Sequence, residues 1–327
     1  MQHLNSYNSS LIAPVSTDNL ISSSVVAVCF ILGVPGNIAV MVRLSGWLKK
    51  GSFTPRLMLS LAISDLLTLI PLPLWIWAVL HEWVFGLVFC KLLSYIMMLS
   101  FFCSVLCVVL MSMQRYIQVL HPEKWKKLGR KGQKILLSGM WMLSVVISCY
   151  VLVKRNISFD KEGRLQCTLR YQNKAERVLT LIWQIIIFVA SFTIVSYFYF
   201  QLHRGVNNSA FFSSNSLTKV VTRIVVCFFI FWIPNQIFDI VIIIATLPGN
   251  NNLLISAEFG DSVTTALIFF NSCVNPFLYA FSARALQQET AGTNDPNEKM
   301  NFSNSLSRAF FLSVYFYSFF VPSNSFL

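Results

Sequence analysis

CKLLSYIMMLSFFCSVLCVVLMSMQR, residues 90–115, is the stretch that decides the class of protein. It has no charged residue between Lys91 and Arg115, and an α-helix of this length covers about 37 Å, enough to cross a hydrocarbon layer of about 30 Å. Five hydroxyl-bearing residues interrupt its apolar surface: Ser94, Tyr95, Ser100, Ser104 and Ser112. Because lipid offers hydroxyl groups no partners, the stretch is predicted to be a helix in the interior of a membrane bundle.

The composition is that of a membrane protein. Hydrophobic residues make up 55% of the 327 residues and charged residues 12%, whereas a soluble domain carries about 25% charge. The net charge of +12 is explained by Lys and Arg that flank membrane spans, so membrane lipids are expected partners and nucleic acid is not. No Cys-x-x-Cys pair or His–Cys cluster occurs in the sequence, so a metal site of that kind is not expected.

Seven apolar stretches are each long enough to cross a membrane, and they are numbered here as spans one to seven. Their predicted bounds are 20–44, 56–80, 90–117, 135–154, 178–202, 219–247 and 262–282. The sequence therefore predicts an all-α, seven-helix bundle over residues 20–286. An N-terminal segment, 1–19, precedes it, and a tail, 287–327, with an unusually aromatic end follows it.

The basic residues are distributed unequally between the two sides of such a bundle. Seventeen of the 25 fall in the first, third and fifth connections and the tail. The positive-inside rule makes that side cytoplasmic and the N-terminus extracellular. Asn8 in Asn-Ser-Ser and Asn156 in Asn-Ile-Ser are then extracellular glycosylation acceptors.

The connection between spans four and five, residues 154–177, departs from this rule, because it is basic although it is predicted to be extracellular. It holds seven basic residues against three acidic ones. A basic rim above a helix bundle would attract an anionic ligand. The alternative is a solvated loop with no part in ligand binding.

A lone acid in an apolar span is the strongest polar signal inside the bundle. Asp65 is the only acidic residue of span two, and a buried carboxyl group must be neutral, paired or bound to an ion. Asn and Ser side chains from other helices would supply the oxygen ligands that a small, hard cation prefers. A hydrogen-bond network without an ion is the alternative.

A series of short motifs runs through the spans: Gly36-Asn37, Leu61-Ala62-x-x-Asp65, Trp83-x-Phe85-Gly86, Cys90, Arg115-Tyr116, Trp141, Cys167, Phe228-x-x-x-Trp232-x-Pro234 and Asn275-Pro276-x-x-Tyr279. In order and spacing the series resembles the rhodopsin-like (class A) G-protein-coupled receptors over residues 20–286. The resemblance implies a plasma-membrane receptor that is not an enzyme and that acts on a heterotrimeric G protein of the inhibitory type.

The resemblance also implies roles for particular residues. It implies a disulfide between Cys90 and Cys167, and an allosteric sodium ion, the one cofactor-like group, held by Asp65, Ser104, Asn271 and Asn275. It implies that Trp232 is a rotamer switch beneath the ligand. The residues expected to switch or to couple to the G protein are Gln114, Arg115, Tyr116, Tyr199, Phe228, Trp232, Pro234, Asn275, Pro276 and Tyr279.

The sequence departs from the family pattern at several positions. Gln114 precedes the arginine where Asp or Glu is usual, so a local ion pair with Arg115 is impossible and the restraint on the inactive state is expected to be weaker. Spans four and five lack the usual prolines, near Tyr150 and Ser191. Ser60 stands where Asn is typical.

The ligand class follows from exclusions and from a finer resemblance. Met97 stands where an amine receptor needs an acid, and residues 262–282 contain no lysine for an opsin's Schiff base. Further motifs resemble the leukotriene B4 receptors: Gly33-Val34-Pro35-Gly36-Asn37, Leu44-Ser45-Gly46-Trp47, Cys167-x-x-Arg170-Tyr171, Arg177 with Leu181-Ile182, and Thr264-Thr265-Ala266-Leu267 with Phe269-Phe270. This resemblance implies an anionic lipid mediator.

Two arginines are the candidates for holding such a carboxylate. Arg155 and Arg177 can each form two parallel hydrogen bonds with it, unless they only extend to the membrane interface. The side chains expected to meet ligand hydroxyls are Gln184, Ser94, Tyr95, Asn235 and Gln236. The other functions considered are a chemoattractant peptide receptor, a decoy that binds without signalling because of Gln114, and, from another class, a transporter, although no internal repeat is seen.

Overall fold

The computed structural model describes residues 17–48, 53–160, 163–205 and 216–290. Within them the chain forms α-helices and one antiparallel pair of strands. In chain order these are α1 (Thr17–Leu48), α2 (Phe53–Leu69), α3 (Leu72–Leu80), α4 (Gly86–Leu120), α5 (Pro122–Ser148), α6 (Tyr150–Lys154), β1 (Arg155–Phe159), β2 (Leu165–Leu169), α7 (Lys174–Gly205), α8 (Ser216–Thr246) and α9 (Asn251–Thr290). The predicted acceptor Asn8 and the aromatic end of the tail lie outside the described residues.

The predicted seven-helix bundle is confirmed. In the described part of the chain, seven stretches are helical, long and apolar enough to cross a membrane: Asn19–Ser45, Phe53–Leu80, Gly86–Leu120, Pro122–Lys154, Lys174–Gly205, Val221–Thr246 and Asn251–Tyr279. They keep the span numbers used above. Span two consists of α2 and α3, and span four consists of α5 and α6.

Two helices begin well before the predicted spans. Helix α5 begins at Pro122 rather than near residue 135, and α9 begins at Asn251 rather than near residue 262. Apolar stretches locate the part of a helix inside the lipid, but not where the helix itself begins. Residues 122–134 are rich in lysine, a good helix former, and Pro122 occupies a first-turn position that suits proline.

The basic connection between spans four and five is a β-hairpin, where the sequence had indicated only a loop. Strands β1 and β2 pair antiparallel with Ile157 opposite Cys167. Cys167 is joined to Cys90 by the disulfide that the resemblance implied, with 5.7 Å between the two Cα atoms. The disulfide therefore fixes the hairpin over the end of span three, and this end of the bundle is called the disulfide face.

Spans one and seven approach each other closely at two glycines. A Cβ atom on Gly33 would lie 2.5 Å from Leu69 Cδ1 and 3.3 Å from Cys273 Cα, and one on Gly36 would lie 3.0 Å from Pro276. Asn37 then donates a hydrogen bond of 3.0 Å to the carbonyl oxygen of Ser272. Small residues thus let one backbone reach the other, as is common between helices in membranes.

We expect Gly33→Ala to destabilise the protein by about 1–3 kcal/mol, because the added methyl group must displace Leu69 or separate the two helices. Thermal unfolding of the solubilised protein measures this. Gly139→Ala is the matched control, since a Cβ atom there meets nothing within 4 Å. The packing argument fails if both variants unfold at the same temperature as the wild type.

Candidate functional site

A cavity of about 600 Å³ opens on the disulfide face, between the hairpin and the first turns of α7. Its lining includes three basic residues, Arg170, Lys174 and Arg177, and no acidic residue. The hairpin also contributes Asn156, the predicted glycosylation acceptor, and the connection before α7 contributes Tyr171. The electrostatic character of this cavity is therefore cationic, which favours an anionic occupant.

Arg155 lies at the start of β1 without a carboxylate partner among the described residues. Its Nη1 atom donates to the carbonyl oxygen of Cys167 at 2.9 Å, and its guanidinium carbon lies 5.6 Å from the centre of the Trp75 ring. Its Nε atom is buried and has no hydrogen-bond partner in the described part of the chain. Burial lowers the pKa of Arg155 below its ordinary value, although the group remains charged. A half-buried cation with a free donor is suited to bind an anion.

Arg177, the second predicted carboxylate partner, is already paired. Its Nη2 atom donates to Glu258 Oε1 at 2.7 Å, which links span five to span seven across the disulfide face. Both arginines influence Tyr171, whose pKa is raised because burial and the nearby Tyr150 outweigh the charges of Arg177 and Arg155. The structure thus brings the two arginines to one phenol, but only Arg155 is without an acidic partner.

The hydroxyl-binding candidates of spans three and five lie in different surroundings. Gln184 is half-buried beside the Tyr150 hydroxyl. Ser94 is buried with its Oγ atom 3.9 Å from the Cys167 sulfur. The Tyr95 hydroxyl donates to the carbonyl oxygen of Val145 at 3.4 Å, so this ring packs against span four. A ligand contact for these three residues stays a prediction.

Asn235 and Gln236 each donate to an acid that the sequence analysis missed. Asn235 Nδ2 lies 2.6 Å from Asp261 Oδ1, and Gln236 Nε2 lies 3.4 Å from the buried Asp239 Oδ2. Asp239 is an acid inside an apolar span, which was a usable signal. Asp261 was missed because span seven was predicted to begin one residue later.

Asp65 lies at the centre of the bundle and is fully buried. Its Oδ2 atom accepts a hydrogen bond of 2.8 Å from Asn275 Nδ2. Ser104 and Ser64 share a hydrogen bond of 2.8 Å between their Oγ atoms, in which either hydroxyl can be the donor. Four buried amide or carboxylate oxygens have no hydrogen-bond donor among the described residues: Asn37 Oδ1, Asp65 Oδ1, Asn271 Oδ1 and Asn275 Oδ1. Such oxygens are the ligands that a small, hard cation prefers, so the residues fit the group.

An aromatic stack connects the middle of the bundle to span six. Trp232 stacks on Phe228, with ring centres 5.2 Å apart, and meets Phe101 edge-on at 5.8 Å. Its indole nitrogen is buried without a hydrogen-bond partner in the described residues. Pro234, two residues further along α8, removes a helix hydrogen bond at this level. The indole is therefore held by ring contacts rather than by a directional bond.

Gln114 and Arg115 share one partner at the end of the bundle opposite the disulfide. Gln114 Nε2 and Arg115 Nη2 both donate to the Thr54 hydroxyl oxygen, at 2.7 and 3.3 Å. All three residues are buried. This contact with a neutral hydroxyl ties span three to span two in place of the ion pair that Gln114 cannot make. The Arg115 Nε and Gln114 Oε1 atoms have no partner among the described residues.

The three tyrosines that were predicted to couple to the G protein lie around this end of the bundle. Tyr116 Oη lies 3.3 Å from His121 Nε2, and its ring packs against Phe198. Tyr199 lies close enough to Arg115 to interact with it electrostatically. The Tyr279 and Tyr199 hydroxyls are buried, and neither makes a hydrogen bond within the described range. Their roles in coupling stay predictions.

The sequence profile of the 7 transmembrane receptor (rhodopsin family) matches residues 36–279. The chain belongs to this family. Membership makes it a multi-pass membrane protein and a G-protein-coupled signalling receptor, so the transporter alternative no longer applies. The departures noted above, Ser60 and Gln114 among them, lie within the matched region. Ser60 still accepts a hydrogen bond of 3.3 Å from the Trp141 indole.

Several relatives resemble this rhodopsin-family receptor over most of their length. It is 28% identical to the type-1 angiotensin II receptor of Meleagris gallopavo over 279 residues, which cover 79% of this chain and 76% of the relative. It is 27% identical to the C5a anaphylatoxin chemotactic receptor 1 of Danio rerio over 281 residues, which cover 84% of this chain and 80% of the relative. It is 28% identical to the human C-C chemokine receptor type 7 over 267 residues, which cover 78% of this chain and 69% of the relative.

We expect Thr54→Val to raise the agonist-free activity of the receptor. The change removes the acceptor that Gln114 and Arg115 share and leaves two buried donors unpaired. Each unpaired buried donor destabilises this arrangement by about 1–3 kcal/mol. Gln114→Asp should lower the same activity, because it supplies a charged partner to Arg115. Nucleotide exchange on a heterotrimeric G protein measures both.

Thr193→Val is the control for this experiment, because the exposed Thr193 hydroxyl bonds only to its own helix, at Val189. A wild type that is silent and that Gln114→Asp activates would contradict the proposed restraint. That result would favour a decoy that binds ligand without signalling.

Proposed function

We propose that this receptor responds to an anionic lipid mediator, a hydroxylated fatty-acid carboxylate of the leukotriene B4 class. The observation that carries the proposal is the cationic cavity on the disulfide face, with three basic lining residues and no acid. Arg155 directly precedes Asn156, one of the lining residues, in strand β1. We place this face outside the cell, because disulfides form and persist in oxidising compartments. The same orientation puts the larger share of basic residues in the cytoplasm.

Arg155 is the first partner that we assign to the ligand carboxylate. It is half-buried, keeps a free Nε donor and has no acid to displace within the described chain. A guanidinium holds a carboxylate with two parallel hydrogen bonds, which would offset the hydration that the carboxylate loses. Arg177 is the second partner, and the ligand must share it with Glu258 or replace that side chain.

The apolar chain of such a ligand would extend toward the aromatic residues between spans three, six and seven. Phe101 contacts Trp232 and also Phe269, whose ring centre is 6.1 Å away. Transfer of the chain from water contributes about 25 cal/mol per Å² of apolar surface buried. A ligand that presses on Phe101 or Trp232 would favour one arrangement of span six over another, which is the expected route to the G protein.

A peptide ligand is the second candidate, and three acids favour it. Asp239, Asp261 and Glu258 lie in the halves of spans six and seven nearest the disulfide face, and a basic peptide side chain would pair with them. The names of three relatives refer to peptide or protein ligands: angiotensin II, C5a and chemokines. Such a ligand would use the basic cavity for its own acidic groups.

We expect Arg155→Ala to reduce the affinity for leukotriene B4 by about 2–5 kcal/mol if the ion pair is desolvated, and Arg177→Ala by less, because Glu258 already shares that arginine. Arg155→Lys should retain only part of the affinity that Arg155→Ala loses, since an ammonium group cannot form two parallel hydrogen bonds with the carboxylate. Competition binding with the acid and with its methyl ester measures the effect. The ester should bind the wild type poorly and be insensitive to either change.

Arg164→Ala is the control, because Arg164 is another arginine of the hairpin but pairs with Asp160, whereas Arg155 has no acidic partner among the described residues. A double-mutant cycle combines the change from the acid to its methyl ester with each arginine-to-alanine change. If the coupling energy is zero for both arginines, the carboxylate assignment is contradicted. Loss of activation by a basic peptide in Asp239→Asn, with no response to leukotriene B4 in the wild type, would favour the peptide receptor instead.

We propose further that sodium is an allosteric ligand at Asp65, with Asn271 and Asn275 as the other oxygen donors. The bound ion would supply charge compensation for the buried carboxylate. The support is that the Oδ1 atoms of Asp65, Asn271 and Asn275 are buried without donors among the described residues, and that Asn275 contacts Asp65 directly. Ser104 could join while it donates to Ser64, because its oxygen then keeps lone pairs for the cation.

Sodium should then stabilise the receptor against thermal unfolding, by about 1.4 kcal/mol when its concentration is ten times its Kd. Asp65→Asn should abolish this gain, because the neutral amide lacks the charge that attracts the ion. Unfolding temperatures in sodium, potassium and choline chloride at one ionic strength measure the effect. Equal stabilisation by all three salts would argue against a specific site.

A further inference from the structure

A basic segment, residues 122–134, covers the start of α5 at the end of the bundle opposite the disulfide. It carries six cationic side chains, all exposed: Lys124, Lys126, Lys127, Arg130, Lys131 and Lys134. Its one acid, Glu123, pairs with Lys126 at 3.0 Å. The other five cations have no acidic partner in the described part of the chain. The ligand cavity lies at the other face, so this charge serves no purpose assigned so far.

Apolar contacts hold the basic segment against the bundle and leave its cations outside. The Trp125 ring packs on Phe53 of span two, with 5.5 Å between ring centres. The Leu128 side chain lies over Gly132, where a Cβ atom would be 2.5 Å from Leu128 Cδ1. Between these contacts Gly129 has a φ of 57° and interrupts the helix. The segment is therefore a short anchored corner rather than a free arm.

The order of charged and apolar residues along α5 places the corner at the expected edge of the membrane. Ile135 directly follows Lys134, is 65% exposed, and begins the apolar surface of span four that faces lipid. The helix rises only about 7.5 Å over the five residues from Arg130 to Ile135. The cations are consequently at the depth of lipid headgroups, and a lipid bound there would have its acyl chains against Ile135.

We propose that the basic segment binds a polyphosphoinositide from the cytoplasmic leaflet. Six cations within eleven residues exceed what one singly charged headgroup can pair, whereas an inositol ring with several phosphates can contact several of them at once. Positive charge that only fixes topology needs no such concentration at one corner. The inference rests on the proposed orientation, with this end in the cytoplasm, and is independent of the agonist.

The test is lipid binding to the purified full-length receptor in detergent, measured as bound adducts by native mass spectrometry. The probes are dioleoyl phosphatidylinositol 4,5-bisphosphate, dioleoyl phosphatidylserine, dioleoyl phosphatidylcholine and the chain-free headgroup inositol 1,4,5-trisphosphate. We expect the bisphosphate lipid to bind best, phosphatidylserine weakly and phosphatidylcholine least. The free headgroup should compete poorly, because it lacks the acyl chains.

Lys127→Gln with Arg130→Gln should weaken binding of the bisphosphate lipid roughly tenfold or more, because each cation near a membrane surface contributes to the attraction. Lys127→Arg with Arg130→Lys keeps both charges and should retain binding. The matched control is Lys91→Gln with Arg164→Gln, which removes the same two charge types at the disulfide face. Thermal unfolding of each variant shows that it is folded.

The outcomes separate the alternatives even if a variant fails to fold, because the lipid ranking uses the wild type alone. Equal binding of phosphatidylserine and the bisphosphate lipid would overturn the proposal in favour of a general anionic surface. Full competition by the free headgroup would overturn it in favour of a soluble phosphate site. The bisphosphate lipid could also bind no better than phosphatidylcholine, or lose as much affinity in the control pair as in the test pair. Either result would overturn the proposal and leave these cations with only a role in membrane topology.

Discussion

The hydrogen bond from Asn275 to Asp65 joins span seven to span two where lipid surrounds the bundle and bulk water is absent. In that environment a polar group must find its partner inside the protein, so this pair restricts how the two helices can rotate and slide. The approach of span one at Gly33 and Gly36, with Asn37 bonded to the Ser272 carbonyl, extends the same constraint to a third helix. The network also presents oxygens without donors, so the group that orients the helices is the one suited to a cation.

The two ends of the bundle are organised by different means. At one end a covalent bond, Cys90 to Cys167, fixes the hairpin, and the basic residues Arg170, Lys174 and Arg177 line the cavity beside it. At the other end a shared neutral acceptor, Thr54, restrains Arg115. The first arrangement is covalently fixed and charged, which suits the ligand site that we propose there. The second is weaker, as expected of an element that has two arrangements.

Much of the fold was readable from the sequence, because the membrane makes apolar length a direct signal for each span. The disulfide pair and the central polar residues followed from the resemblance. The hairpin was missed although its short strands were present, since charge rather than alternation guided the interpretation of residues 154–177. The partners of Gln114 and Tyr95 were not predictable, because Thr54 and Val145 lie sixty and fifty positions away and only helix rotation brings them into contact.

The pairing of Arg177 with Glu258 means that any carboxylate reaching Arg177 must compete with a group of the receptor itself. A group attached to the same chain acts at a high effective concentration, commonly millimolar. Short metabolic acids share the carboxylate of a fatty acid but not its chain. They therefore gain no free energy from apolar burial when they compete with Glu258 for Arg177. Under the proposed function, this internal rival would weaken the binding of small acids to Arg177, and a long-chain acid would compensate through apolar burial.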